Sequence, residues 1–213
     1  MERIICIAIG YIFGIFQTGY IYGRLNHLDI RDFGSGNAGT TNTMRVLGKK
    51  AGIITYLGDA FKAVFALLIT YFLFKDKGDA VMVLQLYAGL GVVLGHNFPF
   101  YMGFRGGKGI AATSGVILGL FDYRLLLLAF FTFFIVLLIS KYVSLASLCL
   151  MAGFFFEFVV FVMTGLIDLK GTDRIEGIVL VFIITALAFV KHRSNIQRII
   201  AGNERKIGQP KDV

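Results

Sequence analysis

Long apolar runs alternate with short polar interruptions along the whole chain, at the length scale a bilayer sets. A membrane-crossing helix needs about 20 apolar residues. The runs predict helices over about 4–22, 51–74, 80–99, 110–121, 125–140, 143–166 and 175–190. The run at 110–121 is short for a span, and DYR at 122–124 reads as a tight turn. The expected count is therefore seven, or five if the two short helices form a re-entrant pair. In the first helix Gly10 and Gly14, then Gly19 and Gly23, are spaced four apart, the spacing that lets helix backbones approach closely.

Composition agrees with this pattern. With 57% hydrophobic residues and 15% aromatics in 213 residues, and a mean hydropathy of +0.77, the chain is too apolar for a soluble domain. The expectation is an all-α, polytopic membrane helix bundle forming a single domain, 1–213. The apolar run near the N-terminus is too long for a signal-peptide core and lacks a small-residue cleavage site, so it reads as the first membrane helix. Cys6 and Cys149 fall inside apolar runs and read as packing residues, with neither a disulfide nor a metal implied.

Charge orients the chain. The net charge of +8 is scattered through short loops, not gathered on one face, which points to anionic lipid headgroups and anionic substrates and away from nucleic acid. With seven spans, 14 of the 21 Lys and Arg fall in the segments 24–50, 101–109, 191–213 and at Lys141, on one side. Six fall on the other side, and Lys62 lies within a helix. The positive-inside rule then puts the N-terminus outside and the C-terminus in the cytoplasm.

Three polar stretches fall on the cytoplasmic side in that arrangement: RDFGSGNAGTTNTMR at 31–45, GHNFPFYMGFRGGKG at 95–109 and KHRSNIQRIIAGNERK at 191–206. They are rich in hydroxyls, amides, glycine and fixed cations and poor in carboxylates, an inventory suited to holding negative charge. In GFRGGKGI, Gly106, Gly107 and Gly109 can turn N–H groups inward while Arg105 and Lys108 add charge, ahead of a helix starting near Ile110. It is not a nucleotide P-loop: Met102 stands at the first glycine and Gly109 at the magnesium-binding hydroxyl. The plainer reading is a glycine bend joining two membrane helices. His27, His96 and His192 lie in separate segments without metal-ligand spacing, so no metal is expected.

Other residues have two readings each. Asp59 and Lys62, three apart on one helix face, are either an intramembrane ion pair or, for Lys62, a lean toward the anion site. His96 and Asn97, just before Pro99, either stabilise a turn or touch substrate. Ser144 and Ser147 either contact substrate or pack, and Glu157 is expected to have a buried hydrogen-bond partner. Asn26, His27 and Asp32 spell NHxxxxD, a motif of a different, soluble-facing glycerolipid acyltransferase family, and are read as coincidence because the chain has no room for that domain.

GSGNAGTTN, GHNFP with GFRGGKG, and HRSNIQRIIAGNE resemble, in order and spacing, the three motifs of the bacterial acyl-phosphate:glycerol-3-phosphate acyltransferase (PlsY-type) family. The resemblance covers nearly the whole chain. It implies transfer of a fatty acyl group from acyl phosphate to the 1-hydroxyl of sn-glycerol 3-phosphate, giving lysophosphatidic acid and phosphate, in a multi-pass protein of the bacterial cytoplasmic membrane with its site facing the cytoplasm. No cofactor is implied. The partners implied are the two substrates, membrane lipid and an upstream enzyme that makes acyl phosphate.

By the same resemblance Ser35 and Arg45 are the essential pair, Lys108 and the glycines of the second motif bind phosphate, His192 and Asn195 assist activity, and Glu204 is structural. The expected substrate-binding set is Gly34, Gly36, Asn37, Thr40, Thr41, Asn42, His96, Asn97, Arg105, Gly106, Gly107, Gly109 and Ser144. Ser35 is expected to bind phosphate, not to form an acyl-enzyme, because direct transfer from a mixed anhydride needs none. The base for the attacking hydroxyl is left among His192, His96 and a substrate phosphate oxygen. The rival class is a transporter or channel for an anionic solute; against it, the chain has no evident inverted repeat.

Overall fold

The structure, a computed structural model, describes residues 1–208; of the basic residues counted above, Lys211 lies outside them. Among the described residues all regular structure is helical. The helices are α1 (Glu2–Gly14), α2 (Thr18–Leu25), α3 (Thr40–Leu47), α4 (Lys49–Phe74), α5 (Ala80–Asn97), α6 (Ile110–Gly119), α7 (Tyr123–Ser140), α8 (Val143–Met163), α9 (Gly171–Lys191) and α10 (Arg193–Ile200). Among the described residues five spans are long and apolar enough to cross a membrane, six if the pair α9 and α10, bent by 59°, counts as one. The ten-residue α6 is too short to cross, so the expectation of seven spans is reached only if it is counted.

The chain divides into two compact units. The first is Met1–Phe121, built around α5. Gly10 and Gly14 of α1 sit so close to this helix that a Cβ on them would meet Ala88 O at 1.9 Å and Val92 O at 2.3 Å. Gly91 and Gly95 of α5 approach the α1 backbone in the same way, and Gly115 of α6 approaches Ala60 O of α4. These are backbone-on-backbone contacts of the kind small residues permit in a membrane, where apolar burial alone does not drive helices together. The second glycine pair serves a different contact: Gly19 abuts Ala38 O of the first motif loop together with Thr43 of α3 and Thr55 of α4, and Gly23 abuts Leu28 and Ile30 of the loop that follows α2.

The first span is not the continuous helix its pattern suggests. It breaks at Ile15–Gln17 without a proline, with Gln17 in an extended conformation. A break leaves carbonyls without intrahelical partners, and three side chains meet them. Gln17 Nε2 donates to Gly14 O, Tyr101 Oη donates to Ile15 O at 2.7 Å, and Lys62 Nζ donates to Phe16 O.

The second unit begins at Asp122. Asp122 caps α7 by accepting the N–H groups of Arg124 and Leu125, and Arg124 returns to its carboxylate at 2.6 Å, which accounts for the turn at 122–124. The core of this unit forms where α8 meets α9, around Met151, Phe154, Phe158, Val181 and Ile184. In α7 only Leu125 and Ala129 are buried, so most of its surface suits lipid. Glu157 departs from expectation: its Oε2 is buried and accepts no hydrogen bond.

Candidate active site

In the first unit the first motif is a loop held open by one asparagine. Asn42, 2% exposed, donates from Nδ2 to Ile30 O at 3.1 Å and Phe33 O at 3.0 Å, while its Oδ1 accepts the Ser35 N–H at 2.8 Å. Its amide is spent on the backbone, which makes it the scaffold of the loop more than a surface for ligand. Gly34 has φ +63°, and a Cβ there would meet Asn42 Oδ1 at 2.3 Å, so both its conformation and its space require glycine. Asn37 Oδ1 accepts the Gly39 N–H and closes the next turn. Ser35, Gly36 and Thr41 are thereby left exposed, with Arg45 half-buried in the last turn of α3.

The second motif folds back onto the end of α5. Gly107 N–H donates to His96 O at 3.0 Å and Gly106 N–H to Asn97 O at 3.2 Å. A Cβ on Gly106 would stand 2.1 Å from His96 O, and one on Gly107 2.0 Å from His96 Nε2. Gly109, at φ +85°, delivers the chain into α6. His96 and Asn97 are buried beneath this turn, Lys108 is half-buried and Arg105 exposed.

The two motif loops are joined. Arg31 Nη1 donates to Met102 O at 3.3 Å, and Ile30, Ala38 and Met102 form one buried apolar cluster flanked by Tyr20, Leu28, Val46 and Leu47. Arg31 is itself anchored by Asp29 at 2.7 Å and lies over the Tyr20 ring. Its guanidinium holds the Asp29 carboxyl below the usual carboxylate range, against the opposing effect of burial. Each motif loop also ends at a helix start with no side-chain cap: Gly39 precedes α3 and Gly109 precedes α6. The first N–H groups of such helices have no intrahelical acceptor and carry the positive end of the helix dipole. At the start of α3 the Thr40 hydroxyl is buried without a hydrogen-bond partner.

Asp59 and Lys62 of α4 are both buried in the first unit. They form an ion pair at 2.9 Å, 1% and 6% exposed. Lys62 also reaches His96 Nδ1 at 3.0 Å.

In the second unit the third motif is organised by Glu204. Its Oε1 accepts from Asn195 Nδ2 at 2.6 Å and Ser144 Oγ at 2.7 Å, and its Oε2 from Arg198 Nε at 2.7 Å. Burial pushes its carboxyl up, but these three donors outweigh burial and hold it below its ordinary value. Ser147 is turned back on Val143 O, as a packing residue would be. His192, 3% exposed, sits at the bend from α9 to α10 with Nδ1 2.8 Å from Ala188 O. A carbonyl can only accept, so Nδ1 carries a proton and, in the neutral ring, Nε2 is the acceptor.

Residues 4–202 match the family described as glycerol-3-phosphate acyltransferase. The chain belongs to the glycerol-3-phosphate acyltransferase family. Relatives of that name share 39% identity with it in Clostridioides difficile (strain 630), over 98% of this chain and 97% of theirs. The corresponding figure is 37% in Thermoanaerobacter sp. (strain X514), over the full length of both. The backbone is similar to two crystal structures of PlsY (YgiH), an integral membrane glycerol 3-phosphate acyltransferase. The glycerol 3-phosphate form superposes with a TM-score of 0.83 and the lysophosphatidic acid form with 0.81, each at 30% identity over 98% of this chain and 96% of that one. The resemblance read from the three motifs is borne out, and membership of an integral membrane acyltransferase family does not favour anion transport.

The site also uses residues that the motifs did not announce. Gln17 bridges the helix break to His96 O at 2.9 Å, and Tyr101 holds the Ile15 carbonyl. A glutamine inside an apolar run was the one available signal, since a buried amide needs partners.

Proposed function

We propose that this chain transfers a fatty acyl group from acyl phosphate to the 1-hydroxyl of sn-glycerol 3-phosphate. The hydroxyl oxygen attacks the acyl carbonyl and gives up its proton to a base, a C–O ester bond forms, the acyl–phosphate C–O bond breaks, and inorganic phosphate leaves with that bond's electron pair, the proton ending on the phosphate or in solvent. The observation that carries this reading is the pair of uncapped helix starts, α3 and α6, each fed by a glycine-bearing motif loop and joined through Arg31 and Met102. Both substrates carry a phosphoryl group, and two such helix starts suit two anions.

The donor is already activated, so the work left to the protein is to align two anions and offset their repulsion. Arg45 and Lys108 supply fixed charge, and Ser35 with the Thr40 and Thr41 hydroxyls supplies hydrogen bonds to phosphate oxygens. Ser35 acts as a ligand and not as a nucleophile. Asn42 and Glu204 position their motifs. His192 and Asn195 are carried over as assisting residues on the family resemblance. The chain works as one acyltransferase domain in the cytoplasmic membrane, with the loops facing the cytoplasm where water-soluble glycerol 3-phosphate is found and the acyl chain reaching the site from the bilayer.

The test is reconstitution of the purified protein with acyl phosphate and glycerol 3-phosphate, following lysophosphatidic acid and phosphate together. Equal formation of the two products is expected. Phosphate release without lysophosphatidic acid, or solute flux without either product, would defeat the reading.

A further inference from the structure

Three groups at the helix break share their protons in a way that fixes the chemistry of His96. Asp59 Oδ1 accepts from Lys62 Nζ at 2.9 Å and from Thr18 Oγ1 at 3.1 Å, and it lies 3.8 Å from His96 Nδ1, too far for a hydrogen bond. Lys62 Nζ meets three acceptors: Asp59 Oδ1, Phe16 O and His96 Nδ1. An ammonium has three N–H donors and no lone pair. All three are used, and His96 Nδ1 must therefore present its lone pair. A proton on Nδ1 would point at the ammonium with nothing between them.

The neutral ring accordingly carries its proton on Nε2, and Nε2 is the atom nearest to where a Gly107 side chain would be. The carbonyl of the same residue receives Gln17 Nε2 at 2.9 Å and the Gly107 N–H at 3.0 Å. His96 thus braces the glycine turn from beneath through both its ring and its backbone.

We propose that the Asp59–Lys62 pair fixes His96 as the neutral, Nε2-protonated imidazole, and that His96 is a positioning residue for the Gly106–Gly107 turn and not the base of the transfer. This deepens the reading given above and rests on it for the word base. The ring that could accept a proton from substrate at Nε2 is one whose other nitrogen donates, and His192 has that arrangement while His96 has the reverse. The base is then a group other than His96.

The direct test needs no mutation in the measured protein. Full-length chain, labelled with ¹⁵N at its three histidines, is studied by solid-state NMR in bilayers, with His96→Gln used only to assign the signal. A pyrrole-type Nε2 and a pyridine-type Nδ1 at His96, unchanged from about pH 6 to pH 8 around the ordinary histidine range, are expected. A proton on Nδ1, alone or with Nε2, would overturn the proposal.

Kinetics supply the second arm. In His96→Gln the KM for glycerol 3-phosphate should rise on the order of tenfold while kcat falls less than tenfold and the pH–rate profile keeps its limbs; loss of a base costs roughly 10²–10⁴ in rate. A kcat loss in that range, with the acidic limb gone, would sink the positioning role. Lys62→Met alone strands Asp59 and is expected to fold poorly, so the charge-free Asp59→Asn/Lys62→Met double variant is the one to examine. Its His96 signal should split between tautomers, and an unaltered single tautomer would remove Lys62 from the argument. Should the wild-type chain transfer no acyl group at all, the functional reading falls while the tautomer measurement still decides the pairing.

Discussion

Glu204 accepts a hydrogen bond from Asn195 Nδ2 at 2.6 Å, so the amide of a third-motif residue is oriented by a carboxylate nine positions along the chain. The same oxygen takes the Ser144 hydroxyl from α8, and the other takes Arg198. Glu204 therefore ties α8 to α10 and to the segment after it. This gives a physical content to the structural role that the motif resemblance implied for it.

That arrangement makes stability depend on pH in a definite window. The donors hold the folded-state carboxyl of Glu204 below its ordinary value of 4.5, so its contribution is fully present above that value and is lost as pH falls below it. Melting of the purified protein in detergent should fall more steeply below about pH 4.5 in the wild type than in Glu204→Gln. At neutral pH the variant should be destabilised by about 1–3 kcal/mol, the usual scale for lost hydrogen bonds to a charged group. Parallel melting curves across the acid range would show that the carboxylate is not what binds these elements together.

Much of this architecture was legible because a bilayer leaves strong marks. Apolar runs of span length located the long helices, and the Gly10 and Gly14 spacing marked α1 for close helix packing without naming α5 as its partner. The motif loops were legible by composition. What the letters did not show was who holds whom. Asn42 reads as a ligand for phosphate, yet its whole amide is used to hold the loop open, because a loop carrying glycines at positive φ needs an internal partner for its backbone. The break at Ile15–Gln17 was also hidden. It is made tolerable by Tyr101 and Lys62, which lie 86 and 46 residues away in sequence, and no local pattern records such partners.

Asn42 should tolerate substitution in an order that ligand binding would not give. Asn42→Ala removes three hydrogen bonds at roughly 0.5–1.5 kcal/mol each and loosens the loop. Asn42→Asp keeps the acceptor for Ser35 but aims a carboxylate at the Ile30 and Phe33 carbonyls, leaving them unpaired and repelled. Asp should therefore be the worse of the two in both thermal stability and acyltransferase turnover. If Asp were the milder change, Asn42 would be working through its acceptor alone.

Among the glycines of the second motif, crowding separates those that must be glycine from those that only prefer it. A Cβ on Gly107 would overlap His96 Nε2 at 2.0 Å, whereas one on Gly103 meets nothing within 4 Å and bears only the strain of φ +64°. Gly103→Ala is expected to cost about 1–2 kcal/mol of stability and to leave the KM for glycerol 3-phosphate near wild type. Gly107→Ala should raise that KM or abolish turnover while the protein still purifies as a folded species. Equal effects at both positions would mean that the His96 contact does not set the requirement at Gly107.

Arg45 and Lys108 are the fixed cations of the first and second motifs, and they should not be interchangeable with their opposites. A guanidinium presents a planar fork of donors to a phosphate, while an ammonium is a compact point charge on a flexible stem. Arg45→Ala and Lys108→Ala are each expected to lower kcat/KM by at least about tenfold to a hundredfold, the scale of a lost charge-assisted hydrogen bond. Arg45→Lys should recover little of that loss. His27 supplies the control: it is exposed, at φ +61°, in the coincidental NHxxxxD motif. His27→Ala should leave turnover largely intact, and a loss as deep as that of Arg45→Ala would shift the chemistry from the glycine loops to that motif.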